Sequence, residues 1–224
     1  MSGYRKAALL FIIFGWAAII GFQHGCGEPF VPICMPEEPT EAYIVGGVAS
    51  DDRRSSVYTQ TATGYCSGSI VGPHTVLTAG HCEDVTDISV DDIGWFEAAA
   101  ELAHEGFTFP RHDLRLVYFE DILPPPYATI ATGSLTCSTL LVQGYGIGGD
   151  GSLHEREVTQ VNYYGSTIVI TQGACNGDSG GGLYADDVLL GVTSWGYGEK
   201  PECAGLTGFV DLRQYSQWLE ESIH

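Results

Sequence analysis

The chain has 224 residues, 28 of them acidic and 9 basic, for a formal net charge of −19. Hydrophobic residues make up 44% and aromatics 11%, enough for a packed core, which excludes wholesale disorder. The shortage of Lys and Arg excludes nucleic acid as a partner and adsorption to anionic membranes, because both need clustered cations.

Arg5 and Lys6 precede an apolar run from Ala7 to Phe22, 16 residues long. That is short of the roughly 20 needed to span a bilayer, so residues 1–25 read as an export signal. Gly25-Cys26-Gly27 follows, with small residues suited to cleavage. A Gly-Cys junction also ends lipoprotein signals, which leaves a membrane tether through Cys26 as an open alternative to release. Gln23 and His24 depart from that lipoprotein pattern. Residues 26–43 carry Pro29, Pro32, Pro36 and Pro39 among glutamates and read as a propeptide or linker outside the core.

From Ile44 onward the chain consists of short apolar runs separated by Gly, Pro, Asp and Thr. Ser69-Ile70-Val71, Thr75-Val76-Leu77-Thr78, Ile168-Val169-Ile170 and Val188 to Val192 are rich in β-branched residues and too short for helices, so they are expected as strands. Glu97 to His104 has helical propensity, with strand or loop as equal alternatives. Tyr215 to Glu220 lacks Gly and Pro and is expected as a terminal helix. Thirty glycines and many turn signals fit an all-β barrel or sandwich.

Three strings carry chemistry. In Asn176-Gly177-Asp178-Ser179-Gly180-Gly181, a Ser between glycines can project its hydroxyl from a tight turn while neighbouring N–H groups face a substrate oxygen. Thr78-Ala79-Gly80-His81-Cys82 supplies an imidazole able to act as a general base near neutral pH. Asp113 opens the apolar run Leu114-Arg115-Leu116-Val117, a place for a buried carboxylate that orients an imidazole. Each string alone is ordinary: a turn, a lone His, a strand-capping Asp. Their order excludes a nucleophile-elbow hydrolase, which needs a His after its Ser; here only His224 follows Ser179.

His81, Asp113 and Ser179, in that order, together with Ile44-Val45-Gly46-Gly47 and Ser194-Trp195-Gly196, resemble the trypsin-like (chymotrypsin) family of serine proteases from Ile44 almost to the end. The resemblance implies two packed six-stranded antiparallel β-barrels with a C-terminal helix, over residues 44–224. It implies a serine endopeptidase with Ser179 as nucleophile, His81 as base and Asp113 as the residue orienting it. The N–H groups of Gly177 and Ser179 would form the oxyanion hole. Ser194, Trp195 and Gly196 would pair with the substrate backbone, with Gly173 at the floor of the primary pocket and Gly196 and Gly205 on its walls. Trypsin-type enzymes carry an Asp at the floor; Gly173 implies apolar or aromatic residues before the scissile bond, although Glu199 and Glu202 lie close in sequence.

By the same resemblance, cleavage before Ile44 would free an amine to pair with Asp178, and the cut after Tyr43 suits self-activation by an enzyme with an apolar pocket. Of seven cysteines, Cys66–Cys82 and Cys175–Cys203 match family disulfides. Cys34 and Cys137 remain for a bond tethering the propeptide, and Cys26 is left over. No Cys-x-x-Cys or matched His pair suggests zinc. The acidic stretch Glu83 to Glu105 reads as a solvated loop before it reads as a Ca²⁺ site, so no cofactor or metal is expected.

The expected partners are protein or peptide substrates, met by a secreted, periplasmic or envelope-bound monomer. Two departures stand out: Gly182 where the family has Pro, and Arg115 where it has a small apolar residue. A buried Arg115 beside Asp113 would lower the carboxylate's basicity or displace the imidazole, whereas an Arg that snorkels to solvent would do neither. Arg115 and the Tyr43 junction motivate the alternative of a catalytically silent homologue that acts as a binding module. An esterase with incidental peptidase activity is a third reading.

Overall fold

The computed structural model describes residues 47–134, 139–146, 151–158, 161–171, 173–197 and 205–224. Strand β1 (Val48–Ala49) precedes six strands that form the first half: β2 (Ser56–Thr61), β3 (Gly64–Gly72), β4 (Thr75–Thr78), β5 (Val85–Val90), β6 (Gly94–Ala103) and β7 (Arg115–Phe119). These six close into a barrel in the order β2-β3-β4-β7-β6-β5. Val57, Ile70, Val76, Ile88 and Val117 alternate inward and are sealed from solvent. Burial of each such side chain contributes about 1.5–3 kcal/mol.

The second half comprises β8 (Thr129–Ile130), β9 (Leu140–Gly144), β10 (His154–Val158), β11 (Asn162–Tyr164), β12 (Thr167–Thr171), β13 (Gly182–Ala185), β14 (Val188–Tyr197) and β15 (Leu206–Asp211). With β1 they form a nine-stranded sheet in the order β1-β10-β9-β13-β14-β15-β12-β11, and β8 pairs in parallel with β14. Its inner face gathers Leu140, Val142, Ile168, Ile170, Leu183, Leu190 and Phe209. A third cluster joins the halves: Leu77, Ala79, Leu114 and Leu116 from the first pack with Tyr184, Leu189, Val192 and Val210 from the second. Both halves belong to one compact unit.

The chain ends in a 3₁₀ turn (Leu212–Tyr215) and helix α1 (Ser216–Ser222). The Asp211 carboxylate caps the turn by accepting from the Arg213 N–H, and Leu219 anchors the helix in the shared cluster. The four runs expected as strands lie in β3, β4, β12 and β14, and the terminal helix falls where it was expected. The ambiguous run from Glu97 resolves as strand β6, whose Phe96 and Ala98 pack on the barrel interior while Trp95 and Glu97 face out. Pairing with both β5 and β7 overrides the helical propensity of its alanines. The leader, the Pro/Glu-rich stretch, Ile44 and Cys26, Cys34, Cys137 and Cys203 lie outside the described residues. Among the described residues no helix is long and apolar enough to cross a membrane.

Candidate active site

His81 stands on the turn that ends β4. The Cys66–Cys82 disulfide ties that turn to β3, as the resemblance implied. Across from it, Asp113 precedes β7 and is fully buried. Its Oδ1 accepts from the His81 backbone N–H at 2.8 Å, and its Oδ2 lies 2.8 Å from His81 Nδ1. The Ser194 hydroxyl donates to the same Oδ2 at 2.5 Å. Three donors therefore fix one carboxylate, and two of them belong to His81. With Nδ1 engaged by a carboxylate, Nε2 is the nitrogen left to exchange a proton. The edge of Phe109 covers the imidazole, ring centres 5.3 Å apart.

Ser179 lies on the loop between β12 and β13. Gly177 and Gly180 beside it have φ of +93° and +83°, conformations that L side chains rarely adopt. A Cβ on Gly177 would fall 2.2 Å from the Tyr65 ring, and one on Gly180 would fall 2.1 Å from the Ser67 carbonyl oxygen. The loop is docked onto β3: the Ser67 N–H donates to the Ser179 carbonyl at 2.7 Å, and the Ser67 hydroxyl to the Gly177 carbonyl at 2.8 Å. The N–H groups of Gly177 and Ser179 meet no backbone acceptor among the described residues. Asp178 between them turns inward, fully buried, and accepts from the Gly146 and Cys175 N–H groups at 2.8 Å each. Burial pushes its carboxyl up to about 6, against the opposing pull of those two donors and of His154.

His81 and Ser179 line one cavity of about 310 Å³ with Ser194, Trp195 and Gly196. Its other walls are Phe109, Ala174, Cys175, Asn176, Thr193 and Tyr197. Gly173 and Gly205 are not among the lining residues; Gly173 packs behind Ala174, against Ile170 and Thr207. Sequence reasoning passed over Phe109 and Tyr197. Phe109 could have been found from the aromatic-Pro pair that stands shortly before Asp113. Cys175 is disulfide-bonded, while Cys203, Glu199 and Glu202 lie outside the described residues. Among the described residues no group of His, Cys, Asp and Glu is arranged to hold a metal ion.

The two departures acquire partners. Arg115 is largely buried and does not displace His81, and its Nη2 also lies 3.7 Å from the exposed Glu83 carboxylate. Its Nε and Nη2 donate to the Gly80 carbonyl at 3.2 and 2.8 Å, and its Nη1 to Glu101 Oε2 at 2.5 Å. The other Glu101 oxygen accepts from the Val85 N–H. Arg115 and Glu101 thereby brace the His81 turn on both sides. Gly182 has its own reason: a Cβ there would fall 2.4 Å from the Tyr184 ring. Tyr184 is itself pinned, with its hydroxyl 2.9 Å from those of Ser55 and Ser69.

A model of the trypsin family matches residues 44–219. Streptogrisin-D from Streptomyces griseus is 39% identical over 140 residues, which cover 55% of this chain and 35% of that protein. Hypodermin-B from Hypoderma lineatum is 25% identical over 226 residues, covering 80% of this chain and 87% of that one. The chain thus spans about a third of the first relative and most of the second. Among solved structures, mouse neuropsin, described as a serine protease, matches with a TM-score of 0.65 and 19% identity over 76% of this chain and 94% of its own, a likeness of fold.

Proposed function

Starting from a chain that belongs to the trypsin family of serine endopeptidases, we propose that it cleaves peptide bonds through an acyl-enzyme on Ser179. The Ser179 oxygen attacks the substrate carbonyl as His81 Nε2 takes its proton. The imidazolium then passes that proton to the leaving amine, and water repeats the sequence to release the acid. Asp113 keeps the imidazole in the tautomer this needs and offsets its charge when protonated. The N–H groups of Gly177 and Ser179 stabilise the oxyanion, each worth about 2.7–4 kcal/mol at the transition state.

The observation that carries this reading is the Asp113 carboxylate, held by the backbone and ring of His81 and by Ser194, beside the cavity that Ser179 lines. Arg115 gives no support to a silent homologue, because its bonds go to Gly80 and Glu101. The cavity walls carry no carboxylate among the described residues, which favours an apolar or aromatic residue before the scissile bond. Export and maturation at Tyr43-Ile44 complete the proposal, with the new Ile44 amine pairing with Asp178.

Labelling by an active-site fluorophosphonate tests the core of it. The expected result is one label per chain, on Ser179, lost in Ser179→Ala and in His81→Ala. A matured chain that takes no label would overturn the reading.

A further inference from the structure

Away from Ser179, four rings meet in a cluster that the reaction does not use. The chain leaves β6 at His104 and returns at His112, directly before Asp113. Across the neck of the loop between them the two imidazoles lie face to face, ring centres 5.0 Å apart and planes 8° from parallel. Tyr215, which ends the 3₁₀ turn, meets the two rings edge-on at 5.3 and 5.8 Å, and Trp218 of α1 meets His104 at 5.1 Å. The loop closed by this pair reaches the catalytic base. Phe109 lies edge-on to the His81 ring, and a Cβ on the neighbouring Gly80 would fall 2.8 Å from the Phe107 ring.

The hydrogen bonds at the neck set the charge of His104. The Gly106 N–H donates to His104 Nδ1 at 3.1 Å. A backbone N–H can only donate, so that nitrogen carries no proton and the ring is neutral in this arrangement. His112 Nδ1 lies 3.1 Å from the Tyr215 hydroxyl, which Ser166 also bonds. A proton on His104 Nδ1 would face the Gly106 N–H, and a second on His112 would set two cations ring to ring. Burial pushes His104 below its ordinary 6.5; Glu105 pulls the other way, and the facing His112 adds to the lowering. Arg111 and Tyr215 line one cavity with His112, while Asp113 next to it turns its carboxylate to His81 and Ser194. His112 also holds φ +51°, uncommon for a non-glycine residue, so the neck relaxes once the stack is lost.

We propose that the His104–His112 stack is an acid-sensitive clasp, which holds residues 105–111 over His81 and keeps the backbone at Asp113 in place only while both rings are neutral. Backbone bonds carry its state to the base. The His104 N–H donates to the Leu114 carbonyl at 3.0 Å and the Leu114 N–H to the His112 carbonyl at 2.8 Å, with Asp113 between them. Opening the clasp uncovers the imidazole and loosens the carboxylate that orients it. Activity then falls in acid for two reasons, protonation of His81 itself and release of its surroundings. His104 and His112 act through His81 and Asp113 and are positioning residues. The kinetic side of the inference rests on the endopeptidase reading above.

The test uses the full chain in the form that takes a fluorophosphonate label, with one peptide substrate followed from pH 8 down to pH 5. The native protein's kcat/KM should fall on the acid side more steeply than one proton explains. His104→Asn keeps an acceptor for the Gly106 N–H and cannot be charged. It should match the native protein at pH 8, hold about tenfold more of that activity at pH 5, and show a one-proton slope. Superimposable profiles for the two proteins would overturn the clasp. A second readout needs no turnover. In Ser179→Ala protein, NMR signals of the Phe109 ring should follow two titrations, those of His81 and His104, and only that of His81 once His104→Asn is added. Phe109 signals blind to His104 overturn the clasp whether or not the protein takes a label. A matured protein that takes no label overturns the endopeptidase reading, and the NMR titration alone then decides the clasp.

Discussion

At the scale of single residues, Arg115 has the largest consequence. Its guanidinium joins three segments: β7, the Gly80 carbonyl next to His81, and Glu101, which in turn holds the Val85 N–H. Arg115→Met should lower stability by about 1–3 kcal/mol, because Glu101 loses its cation and Gly80 its donors. It should lower kcat about tenfold to a hundredfold with KM little changed, since a His81 turn displaced by a fraction of an ångström misplaces the base. The double variant Arg115→Met/Glu101→Met should recover the melting temperature, because apolar replacement of a buried pair is near neutral. It should not recover kcat, because nothing then holds the Gly80 carbonyl. Parallel thermal melts and steady-state kinetics separate the two effects; recovery of both would reduce Arg115 to a packing residue. The sequence marked Arg115 as anomalous but gave the wrong neighbours to consider. Its acceptor Glu101 lies across the β6–β7 pairing, and that register is not legible from spacing alone.

At the scale of elements, Gly182 and Tyr184 form one unit. Gly182 stands where the family has Pro, and the Tyr184 ring fills the space a side chain at 182 would need. Tyr184 cannot swing away, because it is buried and its hydroxyl is bound among Ser55, Ser56 and Ser69. Gly182→Ala should therefore destabilise by about 1–3 kcal/mol as an overpacked core site, and Gly182→Pro by at least as much. Denaturant titration of each measures this, and the Tyr184→Leu background should absorb much of the Gly182→Ala cost. Equal losses in both backgrounds would count against a steric coupling. Strands with β-branched runs were legible because their pattern and local preference agree. Strand β6 was not, because Glu97 to Ala103 is locally helical and becomes a strand only through its neighbours on both sides. The site motifs were legible for another reason: Gly177 and Gly180 are demanded by positive φ and by close approach of Tyr65 and Ser67, so the backbone writes itself into the sequence. Phe109 and Tyr197 carry no such backbone constraint, and Tyr197 has no sequence signal at all.

At the scale of the whole molecule, the proposed cut before Ile44 would act on the catalytic loop through Asp178, which is buried beside it. Burial raises its carboxyl from 3.8 to about 6 in this structure, so the folded chain holds a proton there that the unfolded chain releases. The sign follows from linkage. A carboxyl raised on folding contributes stability that is fully present below the unfolded value and is lost as pH rises through the folded one. Relative to Asp178→Asn, the uncut chain should lose about 2 kcal/mol between pH 4 and pH 7. An ammonium delivered to Asp178 by a cut before Ile44 reverses the sign. Pairing would hold the carboxyl below its unfolded value, so the same comparison in the cut protein should show stability gained as pH rises and lost as pH falls towards 4. Urea unfolding of cut and uncut protein at pH 4, 5, 6 and 7, each beside its Asp178→Asn variant, reads both slopes. Opposite slopes would tie maturation to Asp178 through a buried ion pair. Identical slopes in the two forms would mean that the new amine ends elsewhere, and that the Asp178 carboxylate keeps the Gly146 and Cys175 donors in both.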